Sequence, residues 1–328
     1  MKRLQKNPAL IFIAAGILIV VLSCMHLYKK QSAPIAAKKY EITVLKNKTI
    51  AVYNPSTEKL SQMDLETYIL GVLSAEMPAL YETEALKAQA VCARTYTLYK
   101  IEHGGCGRYP GAEICTDFKH CQAYNDETAL RALWQTDYDL YLQKLKSAVD
   151  DTRAEVITYA GQPIQALYHS ISGGQTEDAQ NVFSQALPYL VGVSSPGEEY
   201  DTRFSAQKAF TFAEVAQRIN ALFGNGTIKT ENVKNQAKIN STYPSGRVQT
   251  CMFGKATFSG TQARTIFELN SAHFSIRVEG ENLVFTTVGN GHGVGMSQTG
   301  ANAMAKQQST YLQILRHYYT GVTIEKLY

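Results

Sequence analysis

The sequence predicts an α+β protein built from two closely packed lobes behind an N-terminal transmembrane helix. Two patterns carry this prediction: short runs that alternate β-branched and polar residues, and longer segments with apolar residues at helical spacing. The 328 residues are 45% hydrophobic, which suffices for one large or two ordinary domains. The net charge of +4 comes without a Lys/Arg stripe or motif, so it argues against a nucleic-acid partner.

The N-terminus indicates attachment to the cell membrane. Residues 1–8 form a predicted basic cytoplasmic tail, and residues 9–28 lack a formally charged side chain. A helix of about 20 such residues spans a bilayer. Residues 29–39 are basic and contain Pro and Ala, so they indicate a linker that holds the body, residues 40–328, outside the cytoplasm. The alternative is a lipoprotein signal in which Cys24 is modified.

The first elements of the body are predicted to be strands and then two helices. Residues 40–54 alternate β-branched and polar residues in two runs, which favours paired strands. Residues 63–77 and 83–101 place apolar side chains on one helical face. We therefore expect two helices that pack around a break at Pro78.

The later elements follow the same two patterns. Residues 125–152 have helical spacing, with four predicted core positions: Leu130, Leu133, Tyr141 and Leu145. Residues 210–223 predict a helix and residues 245–253 a strand, and both fall in a region, 201–260, that we expect to form a peripheral lobe.

Glu76 is the candidate catalytic residue. It ends an apolar run and directly precedes Met77 and Pro78. Burial without a partner raises the pKa of a carboxyl, and a glutamic acid that stays protonated near neutral pH can act as a general acid. The alternative is a helix-end glutamate that faces solvent or pairs with Arg94.

The loop at residues 103–124 has the composition of a tetrahedral zinc site. It contains five possible ligands: His103, Cys106, Cys115, His120 and Cys121. A disulfide is the alternative, since an extracellular location permits one, although three cysteines leave one unpaired.

Two glycine-rich motifs are candidates for ligand contacts. Gly173 and Gly174 follow Ser172 and allow a backbone to approach a ligand closely, although a hairpin turn would explain them equally well. His292 stands between glycines, so we expect it exposed in a turn before a helix that Ser297 caps.

Three long segments resemble the stage II sporulation protein D family, in the family's order. They are residues 65–99, with the sequence AEMP at their centre, residues 168–200, and residues 289–307. The resemblance extends from about residue 40 to the C-terminus. It implies a membrane-anchored lytic transglycosylase that cuts peptidoglycan strands during engulfment, held on the mother-cell membrane facing the forespore.

The resemblance assigns roles to individual residues. The glutamate of the family's A-E-M-P motif is catalytic and matches Glu76. It is expected to protonate the glycosidic oxygen and then accept a proton from the muramic acid C6 hydroxyl, which yields a 1,6-anhydro sugar. The other motif residues become expected glycan contacts in a cleft between the lobes: Arg94, Ser172, Gly173, Gly174, Tyr189, His292 and Gln298. For Tyr189 the alternative is packing in the core, and for Arg94 an ion pair between two helices.

The resemblance also bears on zinc and on partners. Some family members hold a structural zinc on a C-x4-H-C unit, which Cys115, His120 and Cys121 match, together with an upstream histidine. Here that upstream position is Tyr109, so we expect Cys106, or else His103, as the fourth ligand. The family further implies strands already stripped of stem peptides, a partner amidase and a partner membrane protein. The alternative function is that of an amidase enhancer, which binds wall without cleaving glycan.

Overall fold

Strands and helices alternate along the part of the chain that this computed structural model describes, residues 49–327. The strands are β1 (Thr49–Asn54), β2 (Lys59–Asp64), β3 (Ile114–Cys115), β4 (Glu155–Tyr159), β5 (Gln162–Pro163), β6 (Tyr168–His169), β7 (Ser205–Thr211), β8 (Ala237–Thr242), β9 (Val248–Phe253), β10 (Ala256–Ser259), β11 (Phe274–Glu279), β12 (Asn282–Val288), β13 (Met296–Ser297) and β14 (Thr323–Lys326).

The helices lie between these strands and complete a mixed α+β fold, as predicted. They are α1 (Leu65–Glu76), α2 (Thr83–Glu102), α3 (Glu127–Trp134), α4 (Tyr138–Asp151), α5 (Ala179–Phe183), α6 (Phe212–Phe223), α7 (Val233–Gln236), α8 (Gly260–Ile266), α9 (Gln298–Lys306) and α10 (Tyr311–Tyr318). Short 3-10 turns occupy Gln135–Asp137 and Thr230–Asn232.

The predicted membrane anchor lies outside the residues that the structure describes. Residues 1–39, with the predicted tail, transmembrane helix and linker, lie outside the described residues, as does the first part of the strand pair predicted at residues 40–54. From residue 49 to residue 327, no helix combines the length and the apolar character needed to cross a bilayer.

The strands form several small sheets rather than one large one. β1 pairs with β2 in an antiparallel hairpin and with β3 in parallel. Further along the chain the sheet orders are β14-β4-β5, β10-β9-β8 and β11-β12-β7, and β13 lies parallel to β6. The parallel pair is short, but it joins two of the segments that resemble the family, at Tyr168 and Met296.

The first hydrophobic core surrounds α1 and α2, as the periodicity predicted. Asp64 caps α1 by accepting a hydrogen bond from the Thr67 amide, and α1 ends directly before Met77 and Pro78, since proline cannot continue a helix. Both helices bury their predicted apolar positions: Leu65, Ile69, Val72, Leu73, Leu86, Ala90, Ala93 and Leu98.

One predicted core position is wrong. Leu133 is 62% exposed, whereas Leu130 and Leu145 are buried. A break at Gln135, which has a φ of 45°, ends α3, so the segment forms two short helices instead of the single helix whose spacing placed Leu133 in the core.

A second hydrophobic core lies within residues 210–285 and corresponds to the predicted peripheral lobe. Phenylalanines dominate it, with Phe253, Phe267 and Phe285 fully buried and stacked on one another. The helix expected there is α6, which begins with a capping box between Thr211 and Glu214, and the expected strand is β9. Both predictions are confirmed.

Candidate functional site

Glu76 lies at the C-terminal end of α1 with its carboxyl in a cavity. Oε1 accepts a hydrogen bond from the Ala123 amide at 2.9 Å, and Oε2 accepts one from Gln298 Nε2 at 3.4 Å. Burial raises the pKa of Glu76 above its ordinary value, and hydrogen bonds from Ala123, Gln298 and Tyr168 oppose that rise. The net direction is toward the protonated form, which is the form that a general acid requires.

The cavity around Glu76 has a volume of about 440 Å³. One wall is the cysteine loop from Phe118 to Gln122, and another is the segment 165–169 that contains β6. Arg264 and His292 close it from the C-terminal half of the chain. The cavity thus brings together side chains that are far apart in sequence, within the size range of a small-ligand site.

A buried polar network supports the same wall. Gln122 is 2% exposed; its Nε2 donates to Thr97 Oγ1 at 3.0 Å, and its Oε1 accepts from Tyr168 Oη at 2.8 Å. Burial raises the pKa of Tyr168 well above its usual range, so its hydroxyl remains a donor at neutral pH. Neither residue was among the predicted site residues.

Four predicted metal ligands converge in the cysteine loop, and two of them, His120 and Cys121, also line the cavity. The donor atoms of Cys106, Cys115, His120 and Cys121 all lie within 4.8 Å of one another. His120 Nδ1 is 3.4 Å from each of the three Sγ atoms, and the sulfurs of Cys106 and Cys121 are 4.0 Å apart.

These separations fit a tetrahedral ion. Zn–S bonds of about 2.3 Å and Zn–N bonds of about 2.0–2.1 Å place tetrahedral donors roughly 3.5–3.8 Å apart. A disulfide would require sulfurs about 2.05 Å apart, and all three cysteines are free thiols. His103 stacks on Tyr99 and Tyr109 on Tyr53, so Cys106 is the residue that completes the set.

His292 is half-buried rather than exposed as predicted, and its ring packs edge-on against Phe183, with centroids 5.4 Å apart. Burial, together with the guanidinium groups of Arg264 and Arg247, lowers the pKa of His292 to about 4. The ring is therefore neutral at pH 7. Because Nδ1 accepts a hydrogen bond from the Val294 amide, the proton belongs on Nε2.

Ser172, Gly173 and Gly174 do not line this cavity, which favours the structural-turn interpretation over glycan contact. Their amides and the Ser172 hydroxyl all donate to the buried carboxylate of Glu198. Both glycines have positive φ, 83° and 96°, which lets the amides point inward. Ser172 has no solvent exposure, so its assignment as a glycan contact is wrong.

Glu198 connects this turn to the cavity. It also accepts hydrogen bonds from Ser195 and Ser297, and Ser297 is the N-cap of α9 as predicted. The first residue of α9 is Gln298, which contacts Glu76. Glu198 therefore positions Gln298 without touching the cavity itself.

Two further assignments are corrected. Arg94 has no solvent exposure, and its Nε and Nη2 bind the Glu66 carboxylate at 2.8 and 2.6 Å, so it forms the ion pair between two helices instead of contacting glycan. Tyr189 is 8% exposed, packs against Tyr159 and accepts a hydrogen bond from the Gln165 amide, so its face is not free to stack on a sugar.

Fold and site together define an α+β protein with a half-buried glutamic acid in a cavity whose wall includes part of a Cys/His cluster. The sequence model of the SpoIID family, described as stage II sporulation protein, matches residues 53–159. The stage II sporulation protein D of Bacillus subtilis is 36% identical over 278 residues, covering 85% of this chain and 79% of that protein. The protein of the same name from Bacillus amyloliquefaciens is 34% identical over 279 residues, with the same coverage of both chains.

A more distant relative carries a different name. The amidase enhancer of Bacillus subtilis is 26% identical over 301 residues, which cover 77% of this chain and 40% of that protein. The length and identity of the first two matches place the chain in a family. The chain belongs to the stage II sporulation protein D family, and this membership supports a role at the cell wall in sporulation.

Proposed function

We propose that the protein is a lytic transglycosylase that cleaves the bond between N-acetylmuramic acid and N-acetylglucosamine in peptidoglycan strands. The observation that carries the proposal is Glu76, a half-buried carboxyl with a raised pKa that opens into a cavity of about 440 Å³. The two hydrophobic cores would then flank a glycan-binding cleft, to which the C-terminal half of the chain contributes Arg264 and His292.

The proposed reaction needs one carboxyl. Protonated Glu76 gives its proton to the glycosidic oxygen as the bond to C1 breaks. The C6 hydroxyl of the same muramic acid attacks C1, and the Glu76 carboxylate takes the hydroxyl proton, which regenerates the acid and leaves a 1,6-anhydro sugar. The Ala123 amide and Gln298 hold the two carboxyl oxygens during both transfers.

The number of acidic residues that line the cavity favours formation of the anhydro sugar over hydrolysis. Glycoside hydrolases usually place two carboxylates across the scissile bond. Among residues 49–327, Glu76 is the only Asp or Glu that lines the cavity. An internal nucleophile makes a second carboxylate unnecessary, because no water has to be activated.

We further propose that Cys106, Cys115, His120 and Cys121 hold a structural zinc ion. Four protein donors close the coordination sphere, and such an ion would supply rigidity rather than a reactive water. The Ala123 amide that binds Glu76 lies two residues beyond Cys121, so the cluster braces the loop that presents this amide.

The cellular setting is proposed from the family and from the N-terminal sequence. Residues 9–28 would anchor the body to the mother-cell membrane, facing the forespore during engulfment. A sporulation amidase would strip stem peptides from the strands that this protein then cuts, and a membrane protein would complete the assembly.

A second candidate function is that of an amidase enhancer, favoured by the match to the relative of that name. It would bind wall in the same cavity and stimulate a separate amidase without cutting glycan. The enhancer function does not explain the half-buried carboxyl of Glu76, so we place that function second.

Mass spectrometry of digested strands separates the two. Peptide-free glycan strands are incubated with the full chain, with Glu76→Gln and with Glu82→Gln, which changes an exposed glutamate outside the cavity. We expect 1,6-anhydro products from the unaltered chain and the control, and none from Glu76→Gln. Reducing-end products would refute the mechanism, and intact strands combined with a stimulated amidase would establish the enhancer.

A further inference from the structure

Arg264 is a cation in the Glu76 cavity for which residues 49–327 provide no counter-ion. It belongs to α8, on the second hydrophobic core, and its Nε donates to the Leu269 carbonyl at 3.3 Å. Within residues 49–327, neither Nη atom has a hydrogen-bond partner, and no carboxylate pairs with the guanidinium. The tether through Nε fixes the side chain, while the two Nη atoms remain available on the cavity wall.

Two arginines that are fully buried, Arg94 and Arg247, have the acceptors that the Nη atoms of Arg264 lack. Arg94 binds the Glu66 carboxylate, and Arg247 donates to two backbone carbonyls, those of Ser172 and Gln175. Glu268, four residues after Arg264, is engaged by Lys208 and Arg218. Burial lowers the pKa of Arg264, which reflects the cost of removing a guanidinium from water without an anion beside it.

A second cation lines the cavity. Lys119 lines it from the cysteine loop, and no ion pair engages Lys119 among the described residues. The acid that lines the same cavity is Glu76, which is uncharged when it is ready to donate a proton. An anionic group on the bound molecule would therefore be attracted, and a guanidinium fork matches a carboxylate best.

We propose that Arg264 binds the lactyl carboxylate of a muramic acid from which the stem peptide has been removed. The inference rests on the proposed function, because it takes a peptidoglycan strand as the occupant of the cavity. In a strand that carries stems, the lactyl carboxyl is an amide and has no charge. Removal of the stem exposes one carboxylate per disaccharide, so Arg264 distinguishes a stripped strand from an intact one.

Binding is the direct test, since it does not depend on turnover. The full chain in detergent carries Glu76→Gln to prevent cleavage and is titrated against three fluorescent strands. These are stripped strands, the same strands with the lactyl carboxyls converted to methylamides, and strands with stems. We expect stripped strands to bind about tenfold more tightly than the methylamides, as for one charge-assisted hydrogen-bonded pair.

Substitution assigns the effect to the residue. Arg264→Met is expected to weaken binding of stripped strands about tenfold and to leave the affinity for methylamides unchanged. Arg277→Met, which changes an exposed arginine of β11 outside the cavity, is the matched control. If Arg264→Met does not fold, the protein with Arg264 unaltered still tests whether the lactyl carboxylate is recognised, by its affinities for stripped and methylamide strands.

The inference is overturned if stripped and methylamide strands bind equally, or if Arg264→Met weakens both to the same degree. It is also overturned if strands with stems bind as tightly as stripped ones and depend on Arg264, because the carboxylate would then come from the peptide. Failure of the proposed function looks different, with selective binding retained but no anhydro products from the unaltered chain.

Discussion

Glu198→Gln is the substitution whose effect can be derived most fully from the structure. The Glu198 carboxylate has no solvent exposure and accepts hydrogen bonds from six donors. Oε1 accepts from the Ser172 amide at 3.2 Å, from Ser195 Oγ at 2.8 Å and from Ser297 Oγ, and Oε2 accepts from Ser172 Oγ at 2.7 Å and from the amides of Gly173 and Gly174 at 2.8 and 3.1 Å.

A glutamine cannot satisfy all of these donors. Its amide nitrogen must replace one of the two oxygens, and although hydroxyls can rotate to accept, backbone amides cannot. With the nitrogen at the Oε1 position, the Ser172 amide loses its acceptor; at the Oε2 position, the Gly173 amide does, and the Gly174 amide keeps only Ser172 Oγ at 3.1 Å. One buried donor left without an acceptor costs about 1–3 kcal/mol, and the remaining bonds lose their charge. We therefore expect a loss of about 2–4 kcal/mol.

Thermal unfolding of the full chain measures this loss. For a protein of this size, about 2–4 kcal/mol corresponds to a decrease in Tm of roughly 3–7 °C. Glu199→Gln is the matched control, since Glu199 is the exposed neighbour, and its Tm should stay close to that of the unaltered chain. A Glu198→Gln protein with the same Tm as the control would refute the reasoning that the Glu198 carboxylate holds together residues 172–174, Ser195 and Ser297.

Three further results are expected. Because burial raises the pKa of Glu76, the rate of glycan cleavage should fall as pH rises through that pKa, and a pH profile of kcat/KM that rises instead would contradict the acid role. A Cβ at Gly71 would lie 2.2 Å from an aromatic ring carbon, so Gly71→Ala should lower the free energy of unfolding by about 1–3 kcal/mol, whereas Gly107→Ala, in open space, should not. Elemental analysis should find one zinc per chain, diminished by Cys106→Ser and retained by His103→Asn; the reverse order would make His103 the ligand.

The elements that could be predicted from sequence are those that local signals specify. Apolar residues at helical spacing predicted α1 and α2, and Pro78 marked the break between them. Ser297 was recognised as an N-cap because capping depends on a hydroxyl next to the first turn. The break at Gln135 carries no such signal, since neither glycine nor proline stands there, and Leu133 was therefore misplaced.

The contacts that could not be predicted join residues far apart in the chain. Arg94 meets Glu66 across 28 positions, and Glu198 meets Ser297 across 99. Charge alone gives no preference among the many acids that could face a given arginine. For the same reason, the sequence does not indicate that Arg264 lines the same cavity as Glu76, because that placement depends on how the second hydrophobic core packs against the first.

Each hydrogen-bond partner of Glu76 belongs to a segment with further contacts of its own. The Ala123 amide belongs to the loop that carries the Cys/His cluster, and Gln298 begins the helix whose N-cap is bound to Glu198. A motif residue can therefore affect Glu76 without touching glycan, which is the situation of Ser172. If so, substitutions at Ser172 should change stability and the geometry at Gln298 together, whereas substitutions at Arg264 should change affinity for stripped strands with stability preserved. The effects of Ser172 and of Arg264 are therefore separable by measuring binding and unfolding on the same variants.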